Sequence, residues 1–268
     1  MNFNSILLIG CGNMAGAMLR GWLAAGFDPA RFTVADPSPR DLPAGVIGLA
    51  DIPPRGDFDV IVLGVKPQLL DKVSGQVENL AGSSTMLVSI LAGVEIDVLG
   101  QHFPRARGLL RVMPNLAAAL GKSPIALAQR GLDETAQAAA VALLAPLGTP
   151  EWVDEGAFDL VTALAGSGPA FVYRFIDAMG SAAAGLGLPA DQAARLALAT
   201  VEGAAALAAR SGVDPAELAR RVASPGGVTQ AGLDVLDADG RVGQLLRDTL
   251  RAARDRSAEM ARTARGDS

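Results

Sequence analysis

Ile6-Leu7-Leu8-Ile9-Gly10-Cys11-Gly12-Asn13-Met14-Ala15 sets a four-residue apolar run directly against a glycine-containing turn. The run reads as a short buried strand, and Met18, Leu19, Trp22 and Leu23 follow at helical spacing, with a stop near Gly26. Strand, glycine turn and helix in that order form the context in which a dinucleotide is held. Gly10 permits the tight turn, Gly12 lets a pyrophosphate approach the backbone, and small Ala15 lets helix and strand pack, with Asn13 and Met14 opening the helix whose N-terminus faces the phosphates. Cys11 fills a variable position of the loop.

Outward from this turn, further β-branched or apolar runs recur at Phe32–Ala35, Val60–Val65, Met86–Leu91 and Leu109–Met113, with helical patterns between them. That rhythm predicts parallel βαβ units. Leu70, Val73, Val77 and Leu80 form one apolar stripe of a helix lying on the sheet. Ile125–Ala128 and Glu151–Val153 are expected to extend the sheet. At the end of the second run Asp36 stands where a carboxylate accepts hydrogen bonds from the adenosine ribose, a geometry that favours NAD, while Ser38 and Arg40 follow at once and suit a 2′-phosphate. The cofactor is therefore expected to be NADPH or NADH. Val65, Lys66 and Pro67 end the third run, and Met113, Pro114 and Asn115 the fifth, at strand carboxyl ends that face the ligand crevice.

After Glu155 strand patterns stop. Helical segments follow, broken at Gly185–Pro189, Ser211–Pro215 and Ser224–Gly227. The expected organisation is α/β: a Rossmann-type dinucleotide-binding domain over residues 1–155, then an all-α domain over 156–268. Half of the 268 residues are hydrophobic but only 4% are aromatic, so the cores are built from Ala, Leu and Val, and helix should outweigh strand. A net charge of −5 with scattered arginines argues against nucleic acid as a partner. No uncharged stretch reaches the length of a membrane span, and the uncharged start before Ile6 does not resemble a signal peptide. A single Cys suits a reducing compartment, so the cytoplasm is the expected location. With one His and one Cys no metal site is expected, and His102, before Phe103-Pro104, reads as a surface or capping residue.

Two segments of the second half are more specific than any dinucleotide loop: Ala165-Gly166-Ser167-Gly168-Pro169-Ala170-Phe171 and Ser224-Pro225-Gly226-Gly227-Val228-Thr229. With Gly10–Met14, Val65–Pro67, Arg111–Asn115, Ala231–Leu233 and Glu259-Met260, they resemble the signature segments of pyrroline-5-carboxylate reductases, over nearly the whole chain. The resemblance implies a Rossmann domain joined to a helical dimerisation domain, a homodimer that in the family often assembles into rings, and an imine site between cofactor and helices of the dimer. It also implies reduction of 1-pyrroline-5-carboxylate to proline. Thr229 matches the threonine that contacts substrate and is the expected catalytic residue, able to hydrogen-bond the ring nitrogen. Ser224, Gly226, Gly227 and Val228 are expected to hold the substrate carboxylate through a hydroxyl and through amides at a helix start. Gly168, with Gly166, lets its helix approach the nicotinamide face.

The chain departs from the family where Asn-Thr-Pro and a later Gly-Glu-Gly are usual: here stand Asn115-Leu116-Ala117 and Gly121-Lys122-Ser123. Two alternatives accompany the main reading, a reductase of another cyclic imine acid and a non-catalytic nucleotide-binding homologue. A β-hydroxyacid dehydrogenase would need a lysine where this chain has Arg174, and all three lysines lie in the first domain.

Overall fold

The computed structural model describes residues 3–38 and 42–265. By packing the described residues divide into two units, those within 3–166 with 253–265, and 167–252, whereas the strand patterns alone place the change at 155/156.

The first unit is built on eight strands: β1 (Ile6–Ile9), β2 (Phe32–Ala35), β3 (Ile47–Leu49), β4 (Val60–Leu63), β5 (Met86–Ser89), β6 (Gly108–Met113), β7 (Ser123–Arg130) and β8 (Gly148–Trp152). They lie in the order β3-β2-β1-β4-β5-β6-β7-β8. From β1 the chain first builds outward through β2 and β3, then returns to place β4 on the other side of β1. This reversal puts a crevice at the carboxyl ends of β1 and β4, the position where such sheets bind ligands.

The pairing is parallel from β3 through β6, as the alternating pattern predicts, but β7 runs antiparallel to β6. The reason is length. Only residues 114–122 join them, mostly the short 3-10 turn Leu116–Leu120, and a parallel crossover needs about a dozen residues or more. β3 was not expected from sequence. It has three residues, one of them Gly48, and lies at the sheet edge.

Helices α1 (Asn13–Ala24) and α4 (Glu134–Leu144) cover one face of the sheet, and α2 (Leu70–Leu80) and α3 (Ile96–His102) the other. Trp22 anchors α1: its indole stacks on Phe32 at 5.5 Å and its Nε1–H donates to the Leu143 carbonyl at 2.7 Å. Gly21 is obligatory there, because an added Cβ would stand 2.2 Å from the Ala118 carbonyl oxygen. On the other face Leu70, Val77 and Leu80 are buried, with Val73 packed against them, which is the stripe read from the sequence.

Beyond β8 come α5 (Phe158–Val161) and a π turn at Thr162–Gly166. The second unit begins with α6 (Gly168–Gly185), α7 (Ala190–Ser211), α8 (Pro215–Val222) and α9 (Val228–Leu236); α10 (Arg241–Arg265) follows. The first three breaks fall where the sequence places them. The fourth, before α10, is an Asp239-Gly240 turn in which both residues have positive φ. Small residues let α6 and α7 approach closely: a Cβ on Gly180 would be 3.3 Å from the Ala194 Cα. From Ala253 onward α10 packs with the first unit, where Ser257 Oγ donates to Asp159 Oδ1 at 2.7 Å.

Candidate active site

The turn after β1 is shaped by mutual exclusion of side chains. Gly10 has φ +81°, and a Cβ there would stand 2.9 Å from the Val65 amide nitrogen. Gly64, at the end of β4, is equally constrained, since its Cβ would lie 2.7 Å from the Gly10 carbonyl oxygen and 2.9 Å from the Ala15 Cβ. The two strand ends at the switch point thus meet backbone to backbone. Gly64 was missed in the sequence, although a glycine interrupting the apolar run Val60–Val65 was a visible signal.

Gly12 differs from both. A Cβ there would meet nothing within 4 Å, so its missing side chain leaves open space in front of the loop. Gly12 is also the N-cap of α1, contributes no side-chain cap, and no acidic residue stands in the first turn. Uncapped amides and a positive helix end beside open space form a cradle for a phosphate. Asn13 is exposed at this end, and Met14 packs partly against the core. The residues present therefore fit a dinucleotide pyrophosphate.

Asp36 is tied to the same loop: Oδ2 accepts the Cys11 amide at 2.7 Å and Oδ1 the Ser38 amide at 2.9 Å. Each oxygen retains further acceptor capacity, so the carboxylate can brace the loop and still face a ribose. Ser38 is exposed, while Arg40 lies outside the described residues. Burial, then the Asp36 charge, push the Cys11 thiol above its ordinary pKa, with Arg20 acting in the opposite direction. Val65 is half-buried, Lys66 is exposed, and Pro67 starts a 3-10 turn that Lys66 caps without a side-chain bond.

At the end of β6, Met113 is buried among Ile96, Ala126, Ala128 and Phe158, and Pro114 is buried beside it. Asn115 is buried too, and its amide is engaged at both ends, which the sequence does not reveal: Oδ1 accepts the Ala117 N–H and Nδ2 donates to the Ala165 carbonyl, each at 2.9 Å. Deeper on β6, Arg111 donates from Nη1 to Glu155 Oε1 at 2.6 Å, and its guanidinium lies 4.0 Å from the centre of the Phe158 ring.

In the second unit, Ser224 to Thr229 form one turn leading into α9. The Gly227 amide donates to the Ser224 carbonyl at 2.9 Å, and Gly226 has φ +69°, a conformation glycine adopts without strain. Gly227 caps α9 without a side chain, leaving the first-turn amides at Val228 and Thr229 open, and Ser224, Val228 and Thr229 are exposed. The turn thus gathers uncapped amides and two hydroxyls suited to a small carboxylate. Gly168 is the first residue of α6, with nothing within 4 Å of an added Cβ. Arg174 is exposed and pairs with Asp177 at 2.7 Å.

His102 ends α3, with Nε2 3.4 Å from Asp71 Oδ1. Among the described residues no group of three or more His, Cys, Asp or Glu side chains is placed to hold a metal ion, and no single helix is long and apolar enough to cross a membrane.

Comparison with known proteins gives two family matches: pyrroline-5-carboxylate reductase dimerisation over residues 155–260, and NADP oxidoreductase, coenzyme F420-dependent, over residues 5–93. The pyrroline-5-carboxylate reductase of Pseudomonas aeruginosa is 37% identical over 97% of this chain and 98% of its own. Pyrroline-5-carboxylate reductase 2 of Bacillus subtilis is 33% identical over 94% of this chain and 93% of its own. The solved structure of a pyrroline-5-carboxylate reductase from Coxiella burnetii superposes with a TM-score of 0.89 at 29% identity, covering 97% of this chain and 99% of that one. Similarity of this extent runs through both units, and the chain belongs to the pyrroline-5-carboxylate reductase family.

Proposed function

We propose that the protein reduces 1-pyrroline-5-carboxylate to L-proline, the last step of proline biosynthesis, with NADPH or NADH. The observation that carries this reading is the full-length similarity to the Pseudomonas aeruginosa enzyme, which spans the dinucleotide loop and the Ser224–Thr229 turn alike.

The bound dinucleotide supplies the hydride, from C4 of its nicotinamide. The chain's own residues do the rest. Gly10, Gly12, Asn13 and Met14 seat the pyrophosphate on the α1 amides, and Asp36 and Ser38 face the adenosine ribose. Val65, Lys66 and Pro67 line the crevice from β4, while Met113, Pro114, Asn115 and Gly168 serve the nicotinamide end. The α9 amides at Val228 and Thr229, with Gly226 and Gly227 giving close backbone approach and Ser224 adding a hydroxyl, hold the substrate carboxylate. Thr229 Oγ1 hydrogen-bonds the ring nitrogen and orients the C=N bond. Protonation of the imine nitrogen makes the adjacent carbon electrophilic, so alignment is the main demand on the protein.

The cofactor choice turns on opposing features. Asp36 favours an unmodified ribose, whereas the match to an NADP oxidoreductase family over residues 5–93 supports the phosphorylated form. A homodimer is supported by the second unit itself, in which Tyr173, Phe175, Leu198, Leu207 and Val235 are exposed and few side chains are buried. Assembly of dimers into a ring is part of the same reading, as is a cytoplasmic location, in keeping with one free Cys11.

The test mixes purified protein with 1-pyrroline-5-carboxylate and NADPH or NADH, follows loss of reduced cofactor, and identifies proline by mass. Turnover with proline formed is expected, and the ratio of the two rates gives the cofactor preference. Binding of both cofactors without turnover would refute the reading, and turnover of a different ring size alone would reassign the substrate. Light scattering of the same preparation gives the oligomer.

A further inference from the structure

Pro169 has no N–H, so the Ala165 carbonyl, four residues earlier, lacks its ordinary helical donor. The Ala170 amide does not replace it, because that N–H donates to the Ser167 carbonyl at 3.0 Å. The donor comes from across the fold instead: Asn115 Nδ2, at 2.9 Å. Its orientation is forced, since Oδ1 must accept the Ala117 N–H while Nδ2 meets a carbonyl. Asn115 is itself held by Ser123, whose Oγ accepts the Asn115 N–H at 2.9 Å and donates to the Pro124 carbonyl at 2.9 Å. Asn115 is 7% exposed and Ser123 0%, so no bulk water replaces these bonds. The π turn also packs on the end of β6, where a Cβ on Gly166 would lie 3.6 Å from Met113 Sδ.

We infer that Asn115 and Ser123 are positioning residues: together they fix the backbone at Ala165-Gly166, and through it the course of the Gly166-Ser167-Gly168 segment. This rests on the reading that Gly168 serves the nicotinamide end. Asn115 then contributes by holding that segment rather than by gripping the cofactor with its side chain, and Ser123 supplies the hydroxyl that holds Asn115.

The test uses the full-length oligomeric protein and the variants Asn115→Asp and Ser123→Ala. Aspartate keeps the acceptor for Ala117 but turns an oxygen toward the Ala165 carbonyl. For Asn115→Asp, kcat falls about tenfold or more, the scale of a misaligned transfer, while the cofactor Kd stays within about threefold. The isotope effect with cofactor deuterated at both C4 positions rises as hydride transfer becomes more rate-limiting. Ser123→Ala moves the same quantities the same way by less. Hydrogen exchange over residues 162–170 speeds up in both variants, with residues 6–20 unchanged. Unchanged exchange over 162–170 overturns the inference, as does a kcat within twofold of the parent, or a loss explained by weaker cofactor binding with the isotope effect unaltered. If the parent protein turns over no pyrroline carboxylate, the proposed function fails, and the exchange result alone decides the positioning role.

Discussion

Removing the Glu155 carboxylate isolates a buried cation. The Arg111 side chain is 3% exposed, its Nη1 is 2.6 Å from Glu155 Oε1, and its Nε and Nη2 have no hydrogen-bond partner among the described residues. The ring of Phe158 at 4.0 Å is the other favourable neighbour. Breaking a buried pair costs about 3–5 kcal/mol because the remaining charge stays desolvated. Glu155 is 36% exposed, so water reaches the vacated side in part and the lower end, about 3 kcal/mol, is expected for Glu155→Ala. That figure includes the Ile96 amide, which donates to the same carboxylate oxygen at 3.1 Å. Both tryptophans, Trp22 and Trp152, lie in the first unit with Arg111, so their fluorescence in urea follows its unfolding. With a slope of about 2–3 kcal/mol per molar, the urea midpoint falls by about 1–1.5 M. The double variant Arg111→Met with Glu155→Leu removes the charge as well as its partner and is expected within about 1 kcal/mol of the parent. A Glu155→Ala midpoint within about 0.2 M of the parent, or a double variant as unstable as the single one, would refute the argument.

Gly10 and Gly12 separate fold from ligand. Gly10→Ala destabilises the cofactor-free protein by at least about 1–2 kcal/mol from its positive φ alone, read by thermal unfolding. Gly12→Ala leaves that transition unchanged but weakens cofactor about 10–100-fold by titration, the scale of one charge-assisted hydrogen bond. Thr229→Ala lowers kcat while the cofactor Kd is kept; unchanged turnover would remove Thr229 from the mechanism. Asp133 caps α4 by accepting the Ala136 amide at 2.7 Å, and that bond, helped by Arg107, holds its carboxyl below the ordinary carboxylate pKa. Its folded pKa is depressed, so its stabilisation is present above the unfolded value of about 4 and is lost as pH falls through the folded value. The stability difference between pH 7 and pH 3 is therefore smaller in Asp133→Asn than in the parent.

The sequence by itself determined most of the elements and the strand-turn-helix of the dinucleotide loop. Short apolar runs bounded by glycine, a 3.6-residue stripe such as Leu70–Leu80, and breaks at Ser211–Pro215 and Ser224–Gly227 are local patterns, set by side-chain burial and by what glycine and proline allow. The resemblance that named the family also rests on segments legible one at a time. Only the tertiary structure decided the reversal of β7, the edge strand β3, the backbone contact of Gly10 with Gly64, the Arg111–Glu155 pair and the link from Asn115 to Ala165. Those last three join residues 54, 44 and 50 positions apart in the chain. Each pairs groups whose burial and hydrogen-bond partners exist only once the sheet has brought its strand ends together, and no local spacing encodes such a pairing.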